Sequence, residues 1–504
     1  MSINFFIKFS LPLLAALVLP VVASTAHAST AAPLAKGTVT VDFAESLGPR
    51  MQTERVNNLS RAHTFSEQRE ADVQFFNEQG LHGEIYRVWV DANLIHDPKN
   101  PEAGYDYSGI EDYLSDASRL SDTLLMVMDS RVEVRDYQQT PAQVKPVVKT
   151  IMRDLKQRFP QIKYIEAFNE PDHNLAKALK PDALYDYYRV YYQAVNEINQ
   201  ELKPTIPLQV GGPGFMQYNE PWLRAFLDGY SADPAADKRL DFISWHAYGE
   251  FPEGDGGSDG PRAYHFYKGD PSEVAGQRAK LNAELRSRGL DENIPAFITE
   301  SGIYPGPSFD HQNDPKPDYL IGAAGVPSLH YGYMEQDNIV PFNWVLRHKS
   351  EERKDQLVTR VGEGESIPTG VFTPYGNALV MMSKLKDERV AARSDTLVAG
   401  KGVYSIASKD DTGAAVMVWN YQSTGNQAHA VTVDMKNLPE TLRGVKVRQR
   451  TFRIDATTSN YWADPEHANL QQVAETLVKP GEQHSLSVEL TANALWLVLL
   501  EPAE

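Results

Sequence analysis

Between about residue 50 and residue 390, short apolar runs alternate with longer amphipathic segments, and this alternation leaves few folds open. A short apolar run bounded by turn residues reads as a buried strand, and apolar residues recurring every three and four positions read as a helix. The strand-like runs are Met51 to Val56, Glu84 to Val90, Thr123 to Met128, Ile162 to Phe168, Pro207 to Gly212, Phe242 to His246, Ala296 to Thr299 and Ile339 to Trp344. Helical periodicity lies between them in Ala142 to Phe159, Asp182 to Leu202 and Ser272 to Arg288. Pro181 and Pro271 suit helix starts, and Gly289 suits a helix end. Strands separated by crossover helices form a parallel sheet, and eight such units predict an α/β fold in which the sheet closes as a (β/α)8 TIM barrel over residues 51–391.

Beyond residue 392 the texture changes to short alternating runs: Gly402 to Ser408, Ala414 to Trp419, Ala430 to Met435, Val445 to Ile454 and Ala494 to Leu500. These predict an associated C-terminal antiparallel β-sandwich over residues 392–504. Thr38 to Phe43 also alternates, so the segment 29–50 is expected to lend the sandwich a strand. The junction carries no linker or low-complexity tract, and the two modules are expected to pack rigidly.

Cysteine is absent, which excludes disulfides, thiolate metal sites and a cysteine nucleophile. The chain opens with Lys8, an apolar run from Leu11 to Val22 broken by Pro12 and Pro20, and small residues ending at Ala28. That pattern predicts a cleavable signal peptide over residues 1–28 and a periplasmic or secreted protein. The run is too short to anchor in a bilayer, and no membrane partner is expected. Residues 1–28 hold one Lys and no acid, so their loss takes the formal charge from −18 to −19. Such an acidic chain without a basic cluster excludes a nucleic-acid partner.

Two stretches carry chemistry. In the first, an apolar strand runs through Ile165, Glu166, Ala167 and Phe168 into Asn169-Glu170-Pro171. A carboxylate there stands at the carboxyl end of a barrel strand, the face on which such barrels build their sites. Period-two alternation predicts Glu166, Phe168 and Glu170 on one face, with Glu166 deeper, buried and hydrogen-bonded. In the second, Phe297-Ile298-Thr299 leads to Glu300-Ser301-Gly302, three strands on. Paired carboxylates facing each other across a barrel mouth are what glycosidic bond cleavage needs: one protonates the leaving oxygen and the other attacks the anomeric carbon. Glu170 suits the acid/base and Glu300 the nucleophile, with Asn169 beside the acid to meet a sugar 2-hydroxyl.

Asn169-Glu170-Pro171 on the fourth strand and Thr299-Glu300 on the seventh resemble glycoside hydrolase clan A. Within it, Glu166 through Asp172, Asp241 through Tyr248, and Thr373 through Ala378 most resemble family 39; agarase and porphyranase families of the clan carry similar motifs. The resemblance implies a retaining glycoside hydrolase acting on a poly- or oligosaccharide without metal or organic cofactor. It further implies that Arg87, His246 and Tyr248 lie beside the nucleophile and that Trp344 floors the sugar site. His173, just past the acid, is a further candidate. Asp255 and Asp259 do not fit the spacing of a calcium loop. The stretches Gly249 to Asp270, Ser301 to Pro317 and Val345 to Phe372 are long enough to wall the site, and Phe251, Tyr264, Phe266, Tyr267 and Tyr304 could stack on sugar rings or pack on one another. A carbohydrate-binding protein without activity and a transglycosylase remain as alternatives, and the sequence names neither the sugar nor the oligomeric state.

Overall fold

Strands buried on both faces have no polar side to display, and for that reason they appear in the sequence as unbroken apolar runs. The computed structural model describes residues 34–59, 69–248, 270–302, 320–344, 371–422 and 425–503. The proposed leader and most of the three long loops, with the five loop aromatics and Asp255 and Asp259, lie outside the described residues.

A first strand, β1 (Ala35–Pro49), precedes the barrel. The barrel strands follow as β2 (Val56–Asn58), β3 (Gly83–Asp91), β4 (Ser121–Asp129), β5 (Ile162–Ala167), β6 (Gln209–Phe215), β7 (Ile243–Ala247), β8 (Ala296–Ser301) and β9 (Ile339–Asn343). They pair in chain order, all parallel, and close where Asn57 of β2 meets Asn343 of β9. Alternate residues divide between two cores. Tyr86, Val88, Leu124 and Met126 face the helices, and Ile85, Leu125, Val127, Phe242, Phe297 and Phe342 fill the barrel. Inside, Phe242 stacks on Phe297 at 4.5 Å, and Tyr164 meets both edge-on at 5.9 and 5.2 Å. Two residues further along their strands from Ile85, Tyr164 and Phe297 come Arg87, Glu166 and Thr299, so a polar layer rests on an aromatic plug.

The first barrel strand lies beyond the run that predicts it. Thr53–Arg55 makes a single 3-10 turn, tied down by a buried ion pair from Arg50 to Glu54 at 2.8 Å. The strand itself is the polar triplet Val56-Asn57-Asn58. The helix expected over Ser272 to Arg288 is two helices, Pro271–Ala275 and Gln277–Ser287, parted at Gly276.

The C-terminal strands are β10 (Glu388–Ser394), β11 (Gly402–Lys409), β12 (Ala414–Tyr421), β13 (His429–Lys436), β14 (Val447–Ile454), β15 (Gln471–Val478), β16 (His484–Leu490) and β17 (Leu495–Pro502). With β1 they form one nine-stranded sheet in the order β15-β14-β17-β12-β11-β10-β1-β13-β16. Its pairings are antiparallel except that of β1 with β13. The sheet curls so that Val39, Val41, Val403, Val416, Val431, Val488 and Val498 share one core. The opposite face of β11, β12 and β17 presents Tyr404, Met417, Trp419 and Leu497, which belong to the same core as the barrel helices.

Polar latches hold that contact. Trp419 Nε1 donates to Ser328 Oγ at 2.8 Å, on helix Leu320–Tyr333. Thr373 caps helix Pro374–Met382 by accepting from the Gly376 N–H. From the same helix Asn377 Nδ2 donates to the carbonyls of Ser459 and Ala468 at 2.8 and 2.7 Å. Residues 34–504 accordingly form one compact unit. The intact protein is expected to unfold in one calorimetric transition, and Trp419→Ala is expected to lower its stability by about 3–5 kcal/mol. Two well-separated transitions, or a soluble and folded chain ending at residue 391, would contradict a shared core.

Candidate active site

The alternation that should carry Glu166, Phe168 and Glu170 on one face stops at Ala167, where β5 ends. Phe168 and Glu170 both take left-handed backbone, φ 73° and 51°. Residues without special tolerance for that region are strained by about 1–3 kcal/mol each, so the surroundings must hold them there. Phe168 turns outward to meet Tyr191 edge-on at 5.2 Å, and Glu170 swings over the mouth. The Glu170 N–H donates to Gly214 O at 2.7 Å, and Asn174 Nδ2 donates to Asn169 O at 3.0 Å. Asp172 accepts from the Met216 N–H at 2.8 Å and from Asn219 Nδ2 at 3.0 Å. The turn bearing the acid therefore rests on the segment that follows β6.

Beneath it Arg87 is wholly buried and spends its donors on four side chains. Nε donates to Glu166 Oε2 at 2.7 Å, Nη1 to Glu300 Oε1 at 2.7 Å and to Asn58 Oδ1 at 3.2 Å, and Nη2 to Asn169 Oδ1 at 2.8 Å. Arginine only donates, so the amide oxygen of Asn169 must face it and the amide nitrogen is left for another acceptor. Glu166, with no exposure, also accepts from Thr299 Oγ1 at 2.7 Å, as the buried and satisfied carboxylate the sequence predicts. Gly214, at φ 64°, leaves room for it: a Cβ there would stand 3.1 Å from Glu166 Oε1.

Glu300 is 5% exposed, and the side chain of Glu170 is 24% exposed. His246 lies between them, its Nδ1 3.1 Å from Glu170 Oε1 and 3.5 Å from Glu300 Oε2. One oxygen of each carboxylate and one nitrogen of the imidazole lie within 4.8 Å of one another. The imidazole already fills the space between the acids, so the trio is a proton-holding cluster; a cation here would have to displace that hydrogen bond. Tyr248 donates to Glu300 Oε2 at 2.5 Å. Burial works against a charged His246, but Glu300 and Glu170 outweigh it and raise its pKa above 6.5. For Glu170 burial favours the neutral acid, but the hydrogen bond and charge of His246, with His173 and Arg87 behind them, hold it below its ordinary range. Between the two groups the proton therefore prefers the imidazole.

Trp344 stands just past β9, edge-on to Trp89 at 6.3 Å and to Tyr248 at 6.5 Å. Arg87 Cζ lies 4.4 Å from the centre of the Trp89 ring, so Trp89 lines the barrel beside the charged layer. Trp245 belongs instead to the helix layer, where its Nε1 donates to Gln277 at 2.7 Å. His173 is exposed; its backbone N–H donates to Glu170 O at 3.0 Å, and its side chain acts on the Glu170 carboxyl through charge. Sequence reasoning misses Asn58, which accepts from Arg87 and donates to Thr299 O at 2.9 Å. A polar residue in a fully buried strand is the signal that marks it. It also misses the clamp made by Asp172 and Asn219.

The eight parallel strands and the site built on their carboxyl ends agree with a comparison of the sequence to known families: residues 131–471 match the family described as glycosyl hydrolases family 39. The chain belongs to that family. It is a glycoside hydrolase of clan A, and its substrate is a saccharide. No curated protein sequence matches it significantly. Among solved structures, a bacterial orthologue of human α-L-iduronidase superposes with a TM-score of 0.72 at 15% identity, covering 93% of this chain and 84% of that one. The family 39 enzyme of Xanthomonas axonopodis pv. citri gives 0.64 at 16%, covering 93% and 98%. A monomeric β-xylosidase from Caulobacter crescentus CB15 gives 0.63 at 14%, covering 93% and 100%. At these identities the likeness is one of fold.

At the rim of the hydrolase, Asp91 and Asp129 face each other in register at the ends of β3 and β4. Glu133, on the short helix Arg131–Arg135 that follows, is 2% exposed, and among the described residues no side-chain donor reaches either of its oxygens. Burial, with repulsion from Asp129 and Asp91, pushes its carboxyl up to about 7. A carboxyl whose pKa is raised on folding costs nothing while it stays protonated; the penalty begins above its ordinary 4.5 and is complete above about 7. Glu133→Gln is therefore expected to match wild type in melting temperature near pH 4.5, and to exceed it by up to about 3 kcal/mol of stability at pH 8. Equal stability of the two proteins at pH 8 would show that the carboxyl finds compensation there.

Proposed function

We infer that this glycoside hydrolase cleaves its substrate with retention of anomeric configuration, with Glu300 as nucleophile and Glu170 as acid/base. The observation that carries the reading is the closeness of the two carboxylates across His246, oxygens within 4.8 Å. Retention calls for carboxyl groups about 5–5.5 Å apart, whereas inversion needs about 6.5–9.5 Å to admit a water. Export to the periplasm or beyond is part of the same reading and is supported by the leader-like residues 1–28.

The division of labour follows from the surroundings. Oε1 of Glu300 is held below by Arg87, whereas Oε2, which accepts from Tyr248, lies on the side of His246 and Glu170 and is the oxygen that attacks the anomeric carbon. Glu170 is the more exposed of the pair, as a group that must meet both a leaving oxygen and, later, water has to be. As Glu300 forms its bond, its negative charge fades. The imidazolium then loses its strongest support, and its proton passes through the 3.1 Å hydrogen bond to Glu170 and on to the departing oxygen. In the second step Glu170 takes a proton from water as the water oxygen attacks the anomeric carbon and displaces Glu300, and the proton returns through the hydrogen bond to His246. Asn169 offers its free amide nitrogen to the 2-hydroxyl, and Trp344 gives the ring an apolar floor.

Wild type and two variants should be tested on aryl glycosides and on plant, algal and bacterial polysaccharides. Glu300→Gln is expected to lose activity roughly a thousandfold or more on every substrate. Glu170→Gln should lose about 10²- to 10⁴-fold on poor leaving groups and far less in the first step on a dinitrophenyl glycoside. Proton NMR of the first product should show the starting anomer; the opposite anomer would overturn the retaining reading.

The proton is lost as pH rises through the raised titration of His246, so the basic limb of kcat/KM should lie above pH 6.5. His246→Gln keeps a donor to Glu170 but stores no proton, and its basic limb should fall to lower pH. An unmoved limb would mean that His246 only orients the acid.

A further inference from the structure

Glu166 is a carboxylate that no substrate can reach, yet it takes the Nε bond of the same guanidinium that holds the nucleophile. A single buried arginine needs only one carboxylate for neutrality, and here it has two. The groups facing Glu300 are Arg87 from β3, Glu166 from β5 behind it, Glu170 from the turn after β5, and His246 and Tyr248 at the end of β7. Arg87 and a protonated His246 draw electron density from the nucleophile; among the described residues Glu166 is the one that acts against them through a shared partner. Its bond to Nε also fixes the roll of the guanidinium plane, which decides that one Nη meets Glu300 and the other meets Asn169.

We propose that Glu166 is a positioning residue that sets the basicity of the nucleophile through Arg87, by taking a share of a positive charge that would otherwise fall on Glu300 alone. The proposal rests on Glu300 being the nucleophile. A carboxylate locked one-to-one with a buried guanidinium is a weaker base and a weaker nucleophile, because the transition state must pull its charge away from the cation. With the charge divided, Glu300 stays oriented without being held too tightly to attack.

Glu166→Gln isolates the charge. The amide oxygen still accepts from Arg87 Nε, and its nitrogen faces the Thr299 hydroxyl, which turns to accept. In protein labelled at the glutamate carboxyl carbon with carbon-13, the Glu300 signal is assigned by its loss in Glu300→Gln. In Glu166→Gln that signal is expected to titrate about one pH unit lower than in wild type. On the aryl glycoside that wild type cleaves fastest, kcat/KM should fall roughly tenfold or more with its acidic limb moved the same way. Glu166→Asp keeps the charge, and its Glu300 signal should titrate as in wild type. An unmoved Glu300 titration in the Gln variant, or an equal shift in both variants, would overturn the proposal.

If Glu166→Gln does not fold, wild type still decides. Its Glu166 signal, assigned by its loss in the Asp variant, should be that of a carboxylate at the pH of greatest activity, since a proton there would hand the whole charge of Arg87 to Glu300. A protonated Glu166 at that pH would overturn the proposal equally. Hydrolysis persisting in Glu300→Gln would count against the assignment of the nucleophile and not against the coupling, which the titration reads directly.

Discussion

A guanidinium cut off from water is destabilising by several kcal/mol unless its charge is met and its donors are used. Arg87 stands in that position, on an aromatic plug and beneath the turn that carries Glu170. Its four partners come from four parts of the barrel: Asn58 at the end of β2, Glu166 in β5, Asn169 in the following turn and Glu300 at the end of β8. Each contact restrains an element that chain connectivity leaves free to shift. The barrel must close in register for the arginine to be satisfied, and once satisfied the arginine keeps the register. Fold and site are therefore one constraint seen from two sides.

The sheet at the carboxyl end of the chain belongs to the same construction. Its inner face has a core of its own, but its outer face, through Tyr404 and Trp419, completes the burial of the barrel helices. Asn377 adds two bonds to backbone carbonyls that would otherwise be buried unpaired. The stretch Thr373 through Ala378, one of the three that carry the family resemblance, thus has structural work in this molecule: a helix cap and a latch, remote from the reacting groups.

Legibility followed burial. Strands enclosed on both faces, such as β3, β4 and β8, were plain from their apolar runs, and the two carboxylates could be placed because each ends such a run. Where structure is held by polar contacts the pattern fell silent. β2 is mostly asparagine because its side chains bind backbone and Arg87 instead of packing. β15 is exposed along almost its whole length, so no alternation marks it. The outward turn of Phe168 was hidden for another reason: local period-two counting assumes extended backbone, and Gly214, Met216 and Asn219 impose something else from β6 and the segment after it. His246 and Tyr248 drew their meaning from resemblance alone, since a histidine at a strand end has no signature until its neighbours are known.

Four of the five N–H groups of Arg87 are engaged by protein acceptors. The centre of the barrel therefore has almost nothing with which to question the identity of a sugar beyond the carbon under attack and the hydroxyl beside it. Discrimination among glycans then falls to side chains outside the partners of Arg87. In evolutionary terms such an enzyme diversifies from the outside inward. Changes outside that network are tolerated one substitution at a time, whereas a change among the partners of Arg87 must be answered by another before the lineage can keep it.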